Sequence, residues 1–387
     1  MNDETMTTEI HGRVANGFEA ARAAFASNFE RAGDYQEVGA SFAAFHQGRC
    51  VVDLWAGHRD RARTTPWTRD TLVNVWSTTK GIAATAVAML ADRGLLDYGE
   101  PAAKYWPEFA ANGKDEITIA QIMSHRAGLN GFAEPTTIAD MYDWDACAQK
   151  LARQKPAWPP GTASSYHAMT FGWLAGEIVR RASGKTLGAF VRDGIAGPLD
   201  ADFAIGLPER EEGRLAEMIA PKRAPIMPPL SDIAMLALVN PQQNPEAPNA
   251  RAWRAAEIPA ANGHTSAMGL ARIYAALAGG GAFEGRRILS PEGLARMTRP
   301  MTSDGDRDMM LGLADSWAMG VLLNTPGVYG SNRSAFGHSG WGGSFGCADP
   351  DAQISIGYVC NQMGPELIGD PRTQGLCDAV MACAREQ

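Results

Sequence analysis

Apolar positions over residues 18–32 recur at helical spacing, with Phe18, Ala21, Phe25 and Phe29 on one stripe, which predicts an amphipathic helix. Two short apolar runs follow, 39–45 and 50–55. The polar link His46-Gln47-Gly48-Arg49 between them predicts an antiparallel hairpin. From about 80 to 200 the period is helical, with helices expected near 81–94, 118–125, 145–154, 170–182 and 186–195. Pro- and Gly-rich loops such as 155–161 separate them. The segment 221–262 is rich in Pro, Asn and Ala and has little period. It carries the apolar stretches Ile226-Met227-Pro228-Pro229-Leu230 and Met235-Leu236-Ala237-Leu238-Val239, and it either walls a pocket or packs as a surface excursion. A helix over 265–278 ends at Gly279-Gly280-Gly281. Strand-like runs return at 316–322, 344–348 and 354–359, with Asp349-Pro350-Asp351-Ala352 as a hairpin turn, and a last helix covers 373–385.

Strands at both ends and helices between them define an α+β protein. The terminal hairpins are expected to pair into one antiparallel sheet flanked by helices. Residues 16–75 and 265–387 then form an α/β lobe, and 76–264 a mainly helical lobe with a pocket-lining insertion near 221–262. A small ligand is expected in the crevice between lobes. The 387 residues suffice for a large core, and 45% apolar with 20% charged content is that of a globular protein. A net charge of −8 without any basic block excludes nucleic-acid and anionic-membrane partners. The polar start Met1-Asn2-Asp3-Glu4-Thr5-Met6 lacks the pattern of a secretory signal, and no apolar run reaches the ~18 residues of a membrane span. Six scattered cysteines without metal-ligand spacing are expected as reduced thiols of a cytoplasmic protein.

The chemistry concentrates at Ser77-Thr78-Thr79-Lys80, between an apolar lead-in and the helical run from Gly81. Residues three apart share a helix face, so Ser77 Oγ and Lys80 Nζ can meet. A serine needs a base within reach to attack, and a desolvated lysine can be that base. The helix start also supplies N–H groups for an oxyanion. The competing reading makes Ser77 or Thr78 a helix cap and Lys80 a solvated residue. Tyr166, after the Pro/Gly loop, can reach the crevice and pass a proton, or serve as an aromatic wedge. In Gly337-His338-Ser339-Gly340-Trp341-Gly342-Gly343-Ser344, the glycines allow close backbone approach to a ligand, and a strand-edge N–H can complete an oxyanion site. Gly342-Gly343-Ser344-Phe345-Gly346 matches Gly-x-Ser-x-Gly but lacks the strand–turn–helix context that motif needs. Ser124-His125 is adjacent in sequence, so its side chains point apart, and His125 is read as fixing the loop after its helix.

The order Ser77-x-x-Lys80, Ser124-His125-x-x-Gly128-Leu129, Tyr166-x-x, His338-Ser339-Gly340 resembles the serine β-lactamase and penicillin-binding-protein superfamily. Within it the chain is most similar to the family VIII carboxylesterases, which are class C β-lactamase-like, from roughly residue 16 onward. The resemblance implies Ser77 as the acylated nucleophile, Lys80 as its activating partner and Tyr166 as base and proton shuttle. It implies the Ser77 and Trp341 N–H groups as oxyanion donors, with His338 and Gly340 in the substrate-binding element that reads Lys-Thr-Gly elsewhere. An alternative register aligns Trp341-Gly342-Gly343 with that element. Two departures bear on substrate. Ala168 stands where Tyr-x-Asn has an amide, and His338 stands where a fixed lysine meets the β-lactam carboxylate, leaving at best a pH-dependent cation. Losing one charge-assisted bond costs about 1.5–3 kcal/mol, or roughly 10–150-fold.

The expected activity is therefore serine carboxylesterase action on small, short-acyl esters through a Ser77 acyl-enzyme, with an apolar pocket wall from Trp341, Trp158 and 226–239. No metal or organic cofactor is implied. The alternatives are a β-lactamase or D-amino-acid peptidase of the same fold, an acyltransferase, and a non-catalytic binding protein.

Overall fold

The computed structural model describes residues 8–387 apart from 226, 228, 304 and 315. The N-terminal Met1–Met6 stretch and Ile226 and Pro228 of the first insertion run lie outside the described residues. Seven strands build the central sheet: β1 (Ile10–Val14), β2 (Gly39–His46), β3 (Arg49–Gly57), β4 (Leu322–Leu323), β5 (Phe336–Ser339), β6 (Phe345–Asp349) and β7 (Ile354–Cys360). Their order is β1-β3-β2-β7-β6-β5-β4, and every pairing is antiparallel. The expected junction of the two chain ends is β2 against β7, from Ala40↔Cys360 to His46↔Ile354.

Strand alternation sorts side chains onto two faces. Phe42 joins a core with α1 (Glu19–Glu30) and the C-terminal α6 (Pro371–Arg385), through Phe25, Leu376 and Val380. Ala43 and Phe45 face the other core, under α5 (Ala267–Ala278). That helix lies close because Gly346 and Gly357 are cross-strand partners. A Cβ on Gly346 would strike the Tyr274 ring, and one on Gly357 the Ala267 carbonyl. Beyond α5 run α2 (Thr79–Asp92) and α3 (Thr170–Ser183), packed against each other. Every residue of α2 from Thr79 to Ala91 is buried, which is why its sequence is apolar all round.

The hairpin 39–57 forms as expected, turning on Gln47 and Gly48, both with positive φ. Two expectations fail. The run 316–322 is not one strand: Gly320 takes φ 83° and Ala318 N–H bonds the Val321 carbonyl at 3.1 Å, so the chain folds back and only Leu322–Leu323 joins the sheet. The insertion is more regular than its composition implies, since it holds the helix α4 (Asp232–Val239), capped by Ser231. β1 carried no readable pattern, because it is a short edge strand with three exposed central residues.

Candidate active site

From Thr71 to Ala91 the chain is buried at every residue but Ser77. That residue lines a cavity of 460 Å³. It sits in a single tight turn, Trp76–Thr78, that feeds α2. Trp76 takes a φ of 43°, a conformation that costs a bulky residue about 1–3 kcal/mol. Its indole packs between Trp253 and Trp341, with ring centroids 5.3 and 5.1 Å away. Thr78 makes no side-chain cap. Its Oγ1 instead donates to the Ser344 carbonyl at 3.1 Å. Thr79 Oγ1 donates to the Trp76 carbonyl at 2.5 Å and accepts from Gly263 N–H at 2.9 Å. The two threonines thus tie the Ser77 turn to the 340–344 loop on one side and to segment 260–263 on the other.

Lys80 is fully buried, so the solvated reading is wrong. Its Nζ lies 2.7 Å from the Ala168 carbonyl, 2.9 Å from that of Ala260 and 3.1 Å from Ser77 Oγ. Burial pushes its pKa well below 10.5. A neutral amine has two N–H bonds and one lone pair. In that form the two carbonyls can take the N–H bonds, which leaves the lone pair for the Ser77 hydroxyl. Ala168 lacks the amide of Tyr-x-Asn, but its backbone oxygen occupies one position on the amine.

Tyr166 is buried, with its ring 4.7 Å from Lys80 Nζ and its hydroxyl near Ser77. Burial raises its pKa well above 10, and Ser77 acts in the opposite direction. At neutral pH it is a phenol. Trp317 stacks on it at 5.4 Å and 5°, and His125 meets its edge at 5.0 Å. His125 Nδ1 accepts the His167 N–H at 3.1 Å. His125, expected to fix the loop after its own helix, instead holds the loop that carries Tyr166.

His338 lies at the end of β5, buried beneath the cavity rather than on its wall. Its Nδ1 is 2.8 Å from the Ser339 carbonyl. Burial, and then Lys80 nearby, lower its pKa to about 3. It is neutral in the physiological range, which removes the pH-dependent cation expected there. Gly340 passes so close to Val75 and Ser344 that a Cβ would collide with both. Trp341 follows and lines the cavity. Gly342 and Gly343, at φ 98° and 115°, complete the turn into β6. Gly340 N–H bonds Ser344 at 2.7 Å, and Ser344 Oγ donates to the Val75 carbonyl at 2.9 Å. Among the described residues, neither the Ser77 nor the Trp341 N–H has an acceptor. Both residues line the same cavity, and free N–H groups there can receive an oxyanion.

The insertion does wall the cavity, through Pro221, Met227, Ala237, Leu238, Gln242 and Pro245. Trp158 does not: it is buried elsewhere, donating to the Ala163 carbonyl at 3.1 Å. Two cations reach the rim, and both are engaged. Lys222 donates to the Gly33 carbonyl at 2.7 Å, and Arg223 pairs with Asp34 and Glu366. Among the described residues no cluster of His, Cys, Asp or Glu could hold a metal ion. No helix among them is long and apolar enough to cross a membrane.

Sequence reasoning missed Arg372, at the start of α6. It is fully buried, pairs with Glu37 at 3.1 Å and Asp370 at 2.7 Å, and donates to the Gly342 carbonyl at 2.6 Å. Its only sequence cue is an arginine two residues after a capping aspartate, which is too common to single out.

This combination of fold and site defines a serine-active α+β enzyme scaffold with a lysine beside its serine. Residues 25–376 match the Beta-lactamase family model, and the chain belongs to that family. It is 37% identical to the esterase/β-lactamase LipL of Mycobacterium tuberculosis, over 93% of this chain and 84% of that one. A solved family VIII carboxylesterase shares 47% identity at a TM-score of 0.91, covering 97% of this chain and all of that one. A penicillin-binding-protein homologue from Caulobacter crescentus shares 44% identity at 0.92, with the same coverage.

Proposed function

We propose that this chain is a serine carboxylesterase acting on small, short-acyl esters, with Ser77, Lys80 and Tyr166 as its catalytic residues. The observation that carries the reading is the buried Lys80 amine, whose remaining coordination position faces Ser77 Oγ at 3.1 Å. The neutral amine takes the Ser77 proton as Oγ bonds to the ester carbonyl carbon. The resulting oxyanion is received by the Ser77 and Trp341 N–H groups. When the C–O bond to the alcohol breaks, its electron pair stays on the departing oxygen. Tyr166 gives that oxygen a proton and is resupplied from the Lys80 ammonium. Water enters by the reverse relay, and the acid leaves. Lys80, rather than a Tyr166 phenolate, is the base, because burial favours the neutral form of both groups.

Esters are favoured over β-lactams by the wall itself. It is mainly apolar, and His338, outside it, is neutral. The similarity to a family VIII carboxylesterase over nearly the whole chain supports the same choice. Six unbridged cysteines support the cytoplasmic placement. Mass spectrometry after a fluorophosphonate is expected to place a single adduct on Ser77, and Ser77→Ala to abolish p-nitrophenyl acetate turnover. Efficient nitrocefin hydrolysis with feeble ester cleavage would reverse the substrate assignment.

A further inference from the structure

We propose that Asp308 is the positioning residue that aims Tyr166 at the departing oxygen; the inference rests on the ester-hydrolase reading above. Asp308 is 2% exposed. Its Oδ1 accepts the backbone N–H groups of Met310 and Leu311 at 3.0 and 2.9 Å, and its Oδ2 the Trp317 indole N–H at 2.9 Å. The Tyr166 backbone also lies close to the same carboxylate. Tyr166 and Trp317 are the pair stacked at 5.4 Å and 5°. One carboxylate therefore fixes the indole that lies against the Tyr166 ring.

The loop around Asp308 does not need that reach to keep its shape. Gly312 N–H bonds the Asp308 carbonyl at 2.8 Å, and Asp308 N–H bonds that of Leu313 at 2.9 Å. Met309 N–H docks the loop on Ser164, two residues before Tyr166, at 2.9 Å. Among the described residues no cation pairs with the carboxylate; N–H groups alone hold it. An unpaired buried carboxylate is costly, and here the cost is offset by two N–H donors of its own loop and by the indole stacked on Tyr166. His125 holds the next N–H, that of His167. With the neighbouring N–H held and its ring stacked on a fixed indole, the phenol has little freedom. Misplacing a reacting group by ~1 Å can cost roughly 10²-fold.

The test is leaving-group dependence. A p-nitrophenolate departs without a proton, whereas an ethoxide needs one. In Asp308→Asn we expect kcat/KM for ethyl acetate to fall roughly 10–100-fold and that for p-nitrophenyl acetate less than about threefold. Tyr166→Phe is expected to show the same bias, and adding Asp308→Asn to it to cost little more. Trp317→Phe keeps the ring and removes only the N–H; it should show a smaller fall with the same bias, and it carries the test if Asp308→Asn does not fold. Equal losses on both esters, or none, in a folded variant of an active wild type would overturn the inference alone. A wild type that cleaves neither ester overturns the ester reading and this inference with it.

Discussion

Lys80 and Arg372 are both sealed from solvent, and their charges go opposite ways. Lys80 meets two carbonyls and a hydroxyl, and burial pushes it toward the neutral amine. Burial would neutralise Arg372 too, but Glu37 and Asp370 raise its pKa and keep it charged. Partners, not depth, decide whether a buried nitrogen base is a reagent or a strut. Lys114 sharpens the point. It also hangs from two carbonyls, those of Ala111 and Gln154, both at 2.5 Å, and burial lowers it to about 8. No hydroxyl is among its recorded partners. The third contact, to Ser77, is what separates Lys80 from it.

The comparison breaks most readily at Lys80. Lys80→Met should cut kcat/KM for p-nitrophenyl acetate by roughly 10²–10⁴-fold at neutral pH while the melting temperature holds or rises, since no buried charge pair is broken. Arg372→Met should do the reverse. It strands two buried carboxylates and should cost about 3–5 kcal/mol, read by urea denaturation. An Arg372 variant of unchanged stability would mean the cluster is not a strut. Gly340→Ala places a methyl against Val75 and Ser344 and should shift the Trp341 N–H. If that N–H is an oxyanion donor, kcat falls roughly 10²–10³-fold with KM little changed.

The pH profile tests the charge state directly. An amine is neutral above its pKa and charged below it. Activity that needs neutral Lys80 is therefore retained at neutral pH and lost as pH falls through the lowered value. An acid limb centred near 10.5 would contradict the buried amine as base. Lys114→Met is the smallest expected effect: activity unchanged within about twofold and stability within about 1 kcal/mol by denaturant titration. A large loss of activity there would erase the distinction drawn above.

Local pattern carried much of this. The apolar run from Gly81 dictated a buried helix, and Ser77 three residues before Lys80 dictated that hydroxyl and amine share its first turn. Short apolar runs at 39–45, 50–55 and 354–359, bounded by turn residues, pointed to strands. Other parts left no local trace. The carbonyls that hold the Lys80 amine belong to Ala168 and Ala260, residues whose side chains say nothing about their backbone oxygens. Asp308, far along the chain from Tyr166, and Arg372, beside Gly342 only in space, look like ordinary loop and helix-start residues. His338 reads as a site cation and is instead a buried neutral ring, since charge depends on depth and neighbours that no motif encodes. Helix and strand periods are properties of a few consecutive residues and survive in one dimension. Desolvation and hydrogen-bond partnership arise where distant segments meet, so the chain must fold before Lys80 can serve as the proposed base.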